Sequence, residues 1–228
     1  ESYQMKLIVI EGLDGSGKAT QTAILAQQLQ KRGIPVKTVS FPDYEKPWSC
    51  LVRMYLDGEF GSRPEDVSAY AASSFFAMDR FASYRTGWQK DYEAGTVILC
   101  DRYVGSNAIH QSGKLPREEW SGFLDWLFDF EYKKLGLPQP SATVYLKMHP
   151  NTSKNLLSQR YGGDEEKRDI HEKNLQYLLR CHEAAGYVAD QCGWRVVECC
   201  DGKNLLSREE VSHQVEAALS DLLRTLSF

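Results

Sequence analysis

The amino-acid sequence predicts an α/β fold: a five-stranded parallel sheet with helices on both faces. Three observations lead there. Apolar runs of six or seven residues recur along the chain, too short for buried helices and well suited to strands covered on both faces. Segments with helical spacing separate these runs, so each connection is a right-handed crossover and the sheet is parallel. The first run opens directly into a glycine-rich turn that starts a helix, and ligands of such sheets bind at the carboxyl ends of the strands.

KLIVIEG (6–12) is the first strand. The spacing of Ala23, Leu25, Ala26 and Leu29 makes Lys18 to Arg32 a helix, closed by Gly33. VKTVSFP (36–42) is the second strand, and a long helix over 65–92 follows Pro64. TVILCD (96–101) is the third strand, and a helix over 117–134 stops at GLPQP. ATVYLKM (142–148) and WRVVECC (194–200) complete the five strands, and helices fill 152–160, 166–192 and 207–226. The opening ESYQ precedes the strand pattern and is expected to be either a cloning remnant or a frayed start.

Nothing between residues 5 and 225 resembles a Gly/Ser- or Pro-rich linker, so a single domain is expected over 1–228. With 42% hydrophobic and 11% aromatic residues the chain can bury an ample core. No apolar run approaches the roughly 20 residues needed to cross a bilayer, and no signal-peptide pattern opens the chain. A soluble, cytoplasmic protein is expected. The six cysteines form no CxxC pair, which argues against zinc and a disulfide framework. A net charge of −4 argues against a nucleic-acid-binding face while leaving room for a locally basic pocket.

Each polar motif falls at or just after a strand end. EGLDGSGKAT (11–20) meets the pattern G-x-x-x-x-G-K-[ST] with Gly12, Gly17 and Lys18, but Ala19 replaces the hydroxyl that usually reaches magnesium. Converging backbone N–H groups and a helix N-terminus suit such a loop to polyphosphate. VILCD (97–101) ends an apolar strand in Asp101, the form of a Walker B strand that acts on the metal. FPDY (41–44), FFAMDR (75–80) and DRYVGSN (101–107) supply two arginines and several aromatic faces, a set able to hold an anionic planar ligand. Alone, Arg80 has a plainer alternative, a pair with Asp79 or a surface charge.

Taken in order and at this spacing, these motifs with LGLPQP and RDIHEKN resemble the thymidylate kinase family of P-loop nucleoside monophosphate kinases. The resemblance implies a P-loop NTPase-type sheet with a mobile lid, transfer of phosphate from ATP to dTMP with Mg²⁺, and a homodimer without nucleic-acid or membrane partners. It implies ATP binding by Gly12, Leu13, Asp14, Gly15, Ser16, Gly17, Lys18, Ala19 and Thr20. Lys18 would bind donor phosphates, and Asp14, Asp101 and Glu172 would hold the metal directly or through water. Phe41, Pro42 and Tyr44 resemble the acceptor-site wall, and Phe76 its stacking face for thymine. Arg80 would hydrogen-bond the base and Arg102 the acceptor phosphate, with Ser106 and Asn107 lining the pocket and His110 and Gln111 near the sugar.

The lid is expected at 159–172, where Gly162 and Gly163 permit hinge-like conformations. Gly15 stands where some members carry a catalytic arginine, so the neutralising cation should come from the lid: Arg160 or Arg168, with Lys167 behind them. Two other readings stay open. One is a kinase for a deoxynucleoside or another monophosphate. The other is a P-loop regulatory or binding protein without turnover, for which Ala19 is the only support.

Overall fold

The computed structural model describes residues 7–202 and 204–226; ESYQ and Lys6 of the first expected strand lie outside them. Five strands, β1 (Leu7–Glu11), β2 (Val36–Ser40), β3 (Val97–Asp101), β4 (Ala142–Lys147) and β5 (Arg195–Glu198), form one sheet. Its order is β2-β3-β1-β4-β5, and every pairing is parallel. Because side chains alternate along a strand, Leu7 and Val9 join one core with Ile98, Tyr103, Val104 and Phe123. Ile8 and Ile10 join the other with Leu25, Leu29, Val144 and Val211. The central strand therefore reads as a continuous apolar run, since helices cover both its faces. β2 is an edge strand with no fully buried residue, and Phe41 and Pro42, joined by a cis peptide bond, lie past its end.

The helices are α1 (Lys18–Lys31), α2 (Cys50–Leu56), α3 (Ala69–Ser83), α4 (Gln89–Glu93), α5 (Val104–Ser112), α6 (Trp120–Phe128), α7 (Pro150–Arg160), α8 (Leu175–Cys192), α9 (Arg208–Ala218) and α10 (Ser220–Thr225). α1 buries Thr22, Leu25, Ala26 and Leu29, whereas Ala23 faces outward. Gly33, at φ 75°, donates its N–H to Gln30 O at 2.9 Å and closes the helix as expected.

Several expected helices are interrupted. The 65–92 stretch contains α3, which starts where the Ser68 hydroxyl accepts the Ala71 N–H at 3.1 Å, a wide π turn at Tyr84–Trp88, and α4. The 117–134 helix likewise ends in a π turn, Asp129–Lys134, and the 207–226 helix breaks at Leu219 into α9 and α10. The 166–192 helix begins only at Leu175, where the Asn174 side chain accepts the Tyr177 N–H at 2.9 Å. Residues 161–174 are therefore loop around one short turn, Glu165–Lys167. The last expected strand ends at Glu198, and Cys200–Asp201 (β6) instead pairs antiparallel with Asn204–Leu205 (β7) in a small hairpin. α2 and α5, with seven and nine residues, are additions that too few helical turns made visible.

All six cysteines are free thiols. Among the described residues no helix is long and apolar enough to cross a membrane.

Candidate active site

A cleft of about 1200 Å³ opens at the carboxyl ends of β1, β2 and β3. The glycine loop forms its floor. Gly15 (φ 82°) and Gly17 (φ 94°) adopt left-handed backbone that side-chain-bearing residues avoid. Gly17 caps α1 without a side-chain bond, so the first-turn N–H groups point at the cleft with the positive end of the helix dipole behind them. Gly12 must lack a Cβ, which would stand 2.3 Å from Ser16 Oγ and 3.1 Å from Leu146 O. Lys18 is buried, donates to Leu13 O at 3.0 Å and lies 4.0 Å from Asp14. Burial and then the neighbouring Arg102 push its ammonium down to about 8, a state that an anionic phosphate would reverse.

Arg102 is the one non-glycine residue with positive φ among those described, at 67°, a conformation costing roughly 1–3 kcal/mol. The surrounding turn holds it there. Arg102 N donates to Ile10 O at 3.0 Å, while buried Glu11 accepts from Tyr103 N at 2.8 Å and Ser106 Oγ at 2.7 Å. Gly105 lets the turn press close, since a Cβ there would meet Trp194 at 2.6 Å. The guanidinium so aimed forms an ion pair with Asp14 and donates to Ser106 Oγ at 3.4 Å. Burial alone would raise the Asp14 carboxyl, but Arg102 and Lys18 outweigh it and hold it well below the usual range.

Phe41, Pro42, Tyr44, Phe76, Arg80, Ser106, Asn107, His110 and Gln111 all line the same cleft. Arg80 is neither a surface charge nor an Asp79 partner. Its Nε and Nη2 donate to Glu131 at 2.6 and 2.9 Å in a pair that is fully buried. Asn107 Nδ2 donates to Ser73 O at 3.0 Å and to the same carboxylate at 3.1 Å. His110 Nδ1 lies 2.8 Å from Ser106 O, and a carbonyl can only accept, so this nitrogen carries the proton. Burial pushes the His110 imidazole down to about 4, so it is neutral near pH 7 with Nε2 left as an acceptor.

Asp14 meets two more acids, Asp169 and Glu172, with ligand oxygens within 4.8 Å of one another. Asp169 Oδ1 accepts the N–H groups of His171 and Glu172 at 2.8 and 2.9 Å. Burial and the charges around them raise both Asp169 and Glu172 above ordinary carboxylates. Three crowded hard-oxygen groups whose charges oppose one another are a donor set suited to a divalent cation. Asp101 lines the cleft at the end of β3 but stands outside this trio. His171 anchors the segment, with its ring stacked on His110 at 5.5 Å and Nε2 2.6 Å from Tyr55 Oη.

Of the expected lid cations, Arg160 and Lys167 line the cleft. Arg168 does not. It is 4% exposed and lines a small cavity under the segment with Leu157, Glu172 and Leu178. Ala19 and Thr20 also border the cleft, as do Leu205, Leu206 and Arg208 at its far end.

The family model described as thymidylate kinase matches residues 10–211 of this chain. The chain belongs to the thymidylate kinase family. It is an enzyme of that family, a nucleotide-binding transferase that phosphorylates dTMP for nucleotide biosynthesis. It is 31% identical over 196 residues to a thymidylate kinase from Mycobacterium tuberculosis, covering 82% of this chain and 87% of the relative. A Synechococcus thymidylate kinase is 26% identical over 213 residues, covering 92% and 93%. The solved structure of thymidylate kinase from Candida albicans shares the fold, with a TM-score of 0.70 at 22% identity over 97% of this chain and 94% of that one.

Four site residues escaped the sequence reading. Glu11 was hidden inside the first strand pattern. Asp169 had a signal, an acid three residues before Glu172 in RDIHE, the spacing that lets two carboxylates turn the same way in a tight loop. Glu131 is the one acid inside the aromatic run FEY, and a carboxylate there implies a cationic partner without naming it. His171 gave no signal, since only packing brings it against His110.

Proposed function

We propose that this enzyme transfers the γ-phosphate of ATP to dTMP, giving dTDP, in a cleft that holds both nucleotides side by side. The observation that carries the reading is the contact between Arg102 and Asp14. It brings an arginine suited to the acceptor phosphate against the loop suited to the donor phosphates, so that attacking and leaving oxygens can stand in line.

In this reading the loop amides and Lys18 grip the β- and γ-phosphates, and the adenine lies toward Leu205, Leu206 and Arg208. Phe76 offers a face to thymine, Arg80 and Asn107 meet its polar edge, Phe41, Pro42 and Tyr44 close one wall, and His110 and Gln111 border the sugar. Asp14, Asp169 and Glu172 would hold Mg²⁺, directly or through water, with Asp101 in outer contact. The ion, when bound, supplies positive charge that offsets the phosphate oxygens. Arg160 and Lys167 reach the transferring group from the lid, taking the part for which Gly15 has no side chain. No protein nucleophile is required, because positioning and charge neutralisation supply the rate. The reading extends to one kinase domain over 1–228 acting in the cytoplasm as a homodimer without nucleic acid.

Acceptor-dependent ADP release tests it. The purified chain with ATP and Mg²⁺ should release ADP with dTMP and fall to background with thymidine, which offers Arg102 no phosphate. Release with thymidine and not with dTMP would reverse the acceptor assignment.

A further inference from the structure

We propose that Glu131 determines which pyrimidines the acceptor pocket takes, by locking Asn107 and Arg80 into a pattern that reads the imide edge of thymine or uracil and rejects cytosine. The inference rests on the reading above that the acceptor base lies against Phe76, Arg80 and Asn107.

Glu131 does not itself border the cleft; it lies behind the two residues that do. It is 0% exposed on the π turn after α6 and ties α3 to α5. Its Oε1 accepts from Arg80 Nε at 2.6 Å, and its Oε2 accepts from Arg80 Nη2 at 2.9 Å and from Asn107 Nδ2 at 3.1 Å. The second partner of Asn107 Nδ2 is the Ser73 carbonyl, at 3.0 Å. A carboxylate and a carbonyl both only accept, so the orientation of this amide is not free: its two N–H bonds are consumed behind the pocket wall. What Asn107 offers a ligand is Oδ1, an acceptor. What Arg80 offers is its remaining Nη1 edge, a donor.

Thymine and uracil present an N3–H donor beside the O4 acceptor, matching an acceptor beside a donor. Cytosine presents the reverse, an unprotonated N3 and an amino group, and meets repulsion at both atoms. A pocket built to satisfy one hydrogen-bonding pattern rejects the reversed one by a factor on the order of 10⁴. Ser73 O takes one Asn107 N–H, whereas Glu131 takes the other and both bonds of the Arg80 fork, so the alignment of the pair depends on the residue behind them.

Glu131→Gln is the informative change. Its amide cannot accept at both ends: an NH₂ at the Oε2 place opposes Arg80 Nη2 and Asn107 Nδ2, and an NH₂ at the Oε1 place opposes Arg80 Nε, so the fork that holds Arg80 breaks in either orientation. Arg80, no longer held by two bonds, turns away from the O4 place, so the donor that repels the cytosine amino group is lost while Asn107 stays bonded to Ser73 O. The measurement is kcat/KM for dTMP, dUMP and dCMP at saturating ATP, with ATP KM and melting temperature followed in parallel. Expected is a dTMP:dCMP ratio that falls on the order of 10²-fold in the variant, with dTMP:dUMP constant because both bases carry the same imide edge. A loss of overall rate with the dTMP:dCMP ratio intact would overturn the proposal and leave Glu131 as a fold element only. A wild type that uses dCMP as well as dTMP would instead overturn the placement of the base, and this inference with it. Should Glu131→Gln not fold, the wild type decides by nuclear magnetic resonance. The Asn107 side-chain NH₂ should exchange slowly with solvent both before and after dTMP is added, and rapid exchange in the free protein would refute the lock.

Discussion

Replacing Arg102 with alanine should separate the two substrates of this enzyme. The backbone at 102 tolerates the change about as well as it tolerates arginine, because the N–H bond to Ile10 O at 3.0 Å and the Glu11 contacts that shape the turn remain. What disappears is the guanidinium. A hydrogen bond to a charged group contributes about 1.5–3 kcal/mol net, so a two-bond grip on phosphate is worth roughly 3–6 kcal/mol. Arg102 already pairs with Asp14 and Ser106 in the free protein, and surrendering those contacts offsets part of the gain. A net loss near 3 kcal/mol, about 10²-fold in kcat/KM for dTMP, is expected. ATP should be unaffected or bound slightly tighter, because Arg102 is one of the groups that depress Lys18. The assay pairs steady-state ADP release against dTMP concentration with calorimetric titration of ATP. If ATP affinity fell as far as dTMP efficiency, or if dTMP efficiency were unchanged, Arg102 would not be the acceptor-phosphate residue.

Arg160→Ala should lower kcat by about 10²-fold while ATP affinity stays near wild type, since a cation that neutralises developing charge acts mainly in the transition state; Arg168→Ala, altering a residue buried beneath the lid, should lower the melting temperature more than the rate, and the reverse ranking would contradict the assignment. In a magnesium titration of turnover, Ala19→Ser should change apparent affinity only modestly, because a water can take the place of one hydroxyl ligand. Asp14→Ala should be severely damaging, and an inactive wild type revived by Ala19→Ser would refute this view of the loop. Lys114 donates to Val67 O at 3.0 Å, and burial pushes it down to about 7 from 10.5. Between those values the unfolded chain binds a proton that the native chain lacks, so this residue opposes folding fully below about 7 and progressively less as pH rises. Lys114→Met should therefore be more favourable relative to wild type at pH 6 than at pH 10 in urea unfolding, and an equal difference at both would rule the effect out.

The sheet was legible in the sequence because its central strands are covered on both faces, which writes burial into consecutive residues such as Leu7 to Ile10 and Val97 to Cys100. The glycine loop was legible for a related reason: Gly15 and Gly17 adopt left-handed backbone, a demand of the turn itself that glycine meets wherever it stands. Lys18, Arg102 and the aromatic wall followed from their places after strand ends. Other features depended on segments far apart in the chain. Arg80 could have paired with its neighbour Asp79, yet Glu131, 51 residues away, takes it. Asp14 meets Asp169 and Glu172 only because the lid segment folds back over the loop, and Arg168 is buried beside Leu157 and Leu178, residues of α7 and α8, rather than facing the cleft. α5 is short, and its buried side chains are polar as well as apolar, since one side of it packs on α8 while Asn107, His110 and Gln111 wall the cleft. Local pattern thus determined the strands and the phosphate loop, where each residue answers to its sequence neighbours and to burial. The pairing of buried charges was decided by the tertiary structure, because a buried ion needs a counter-ion and the chain alone does not say which distant one will arrive.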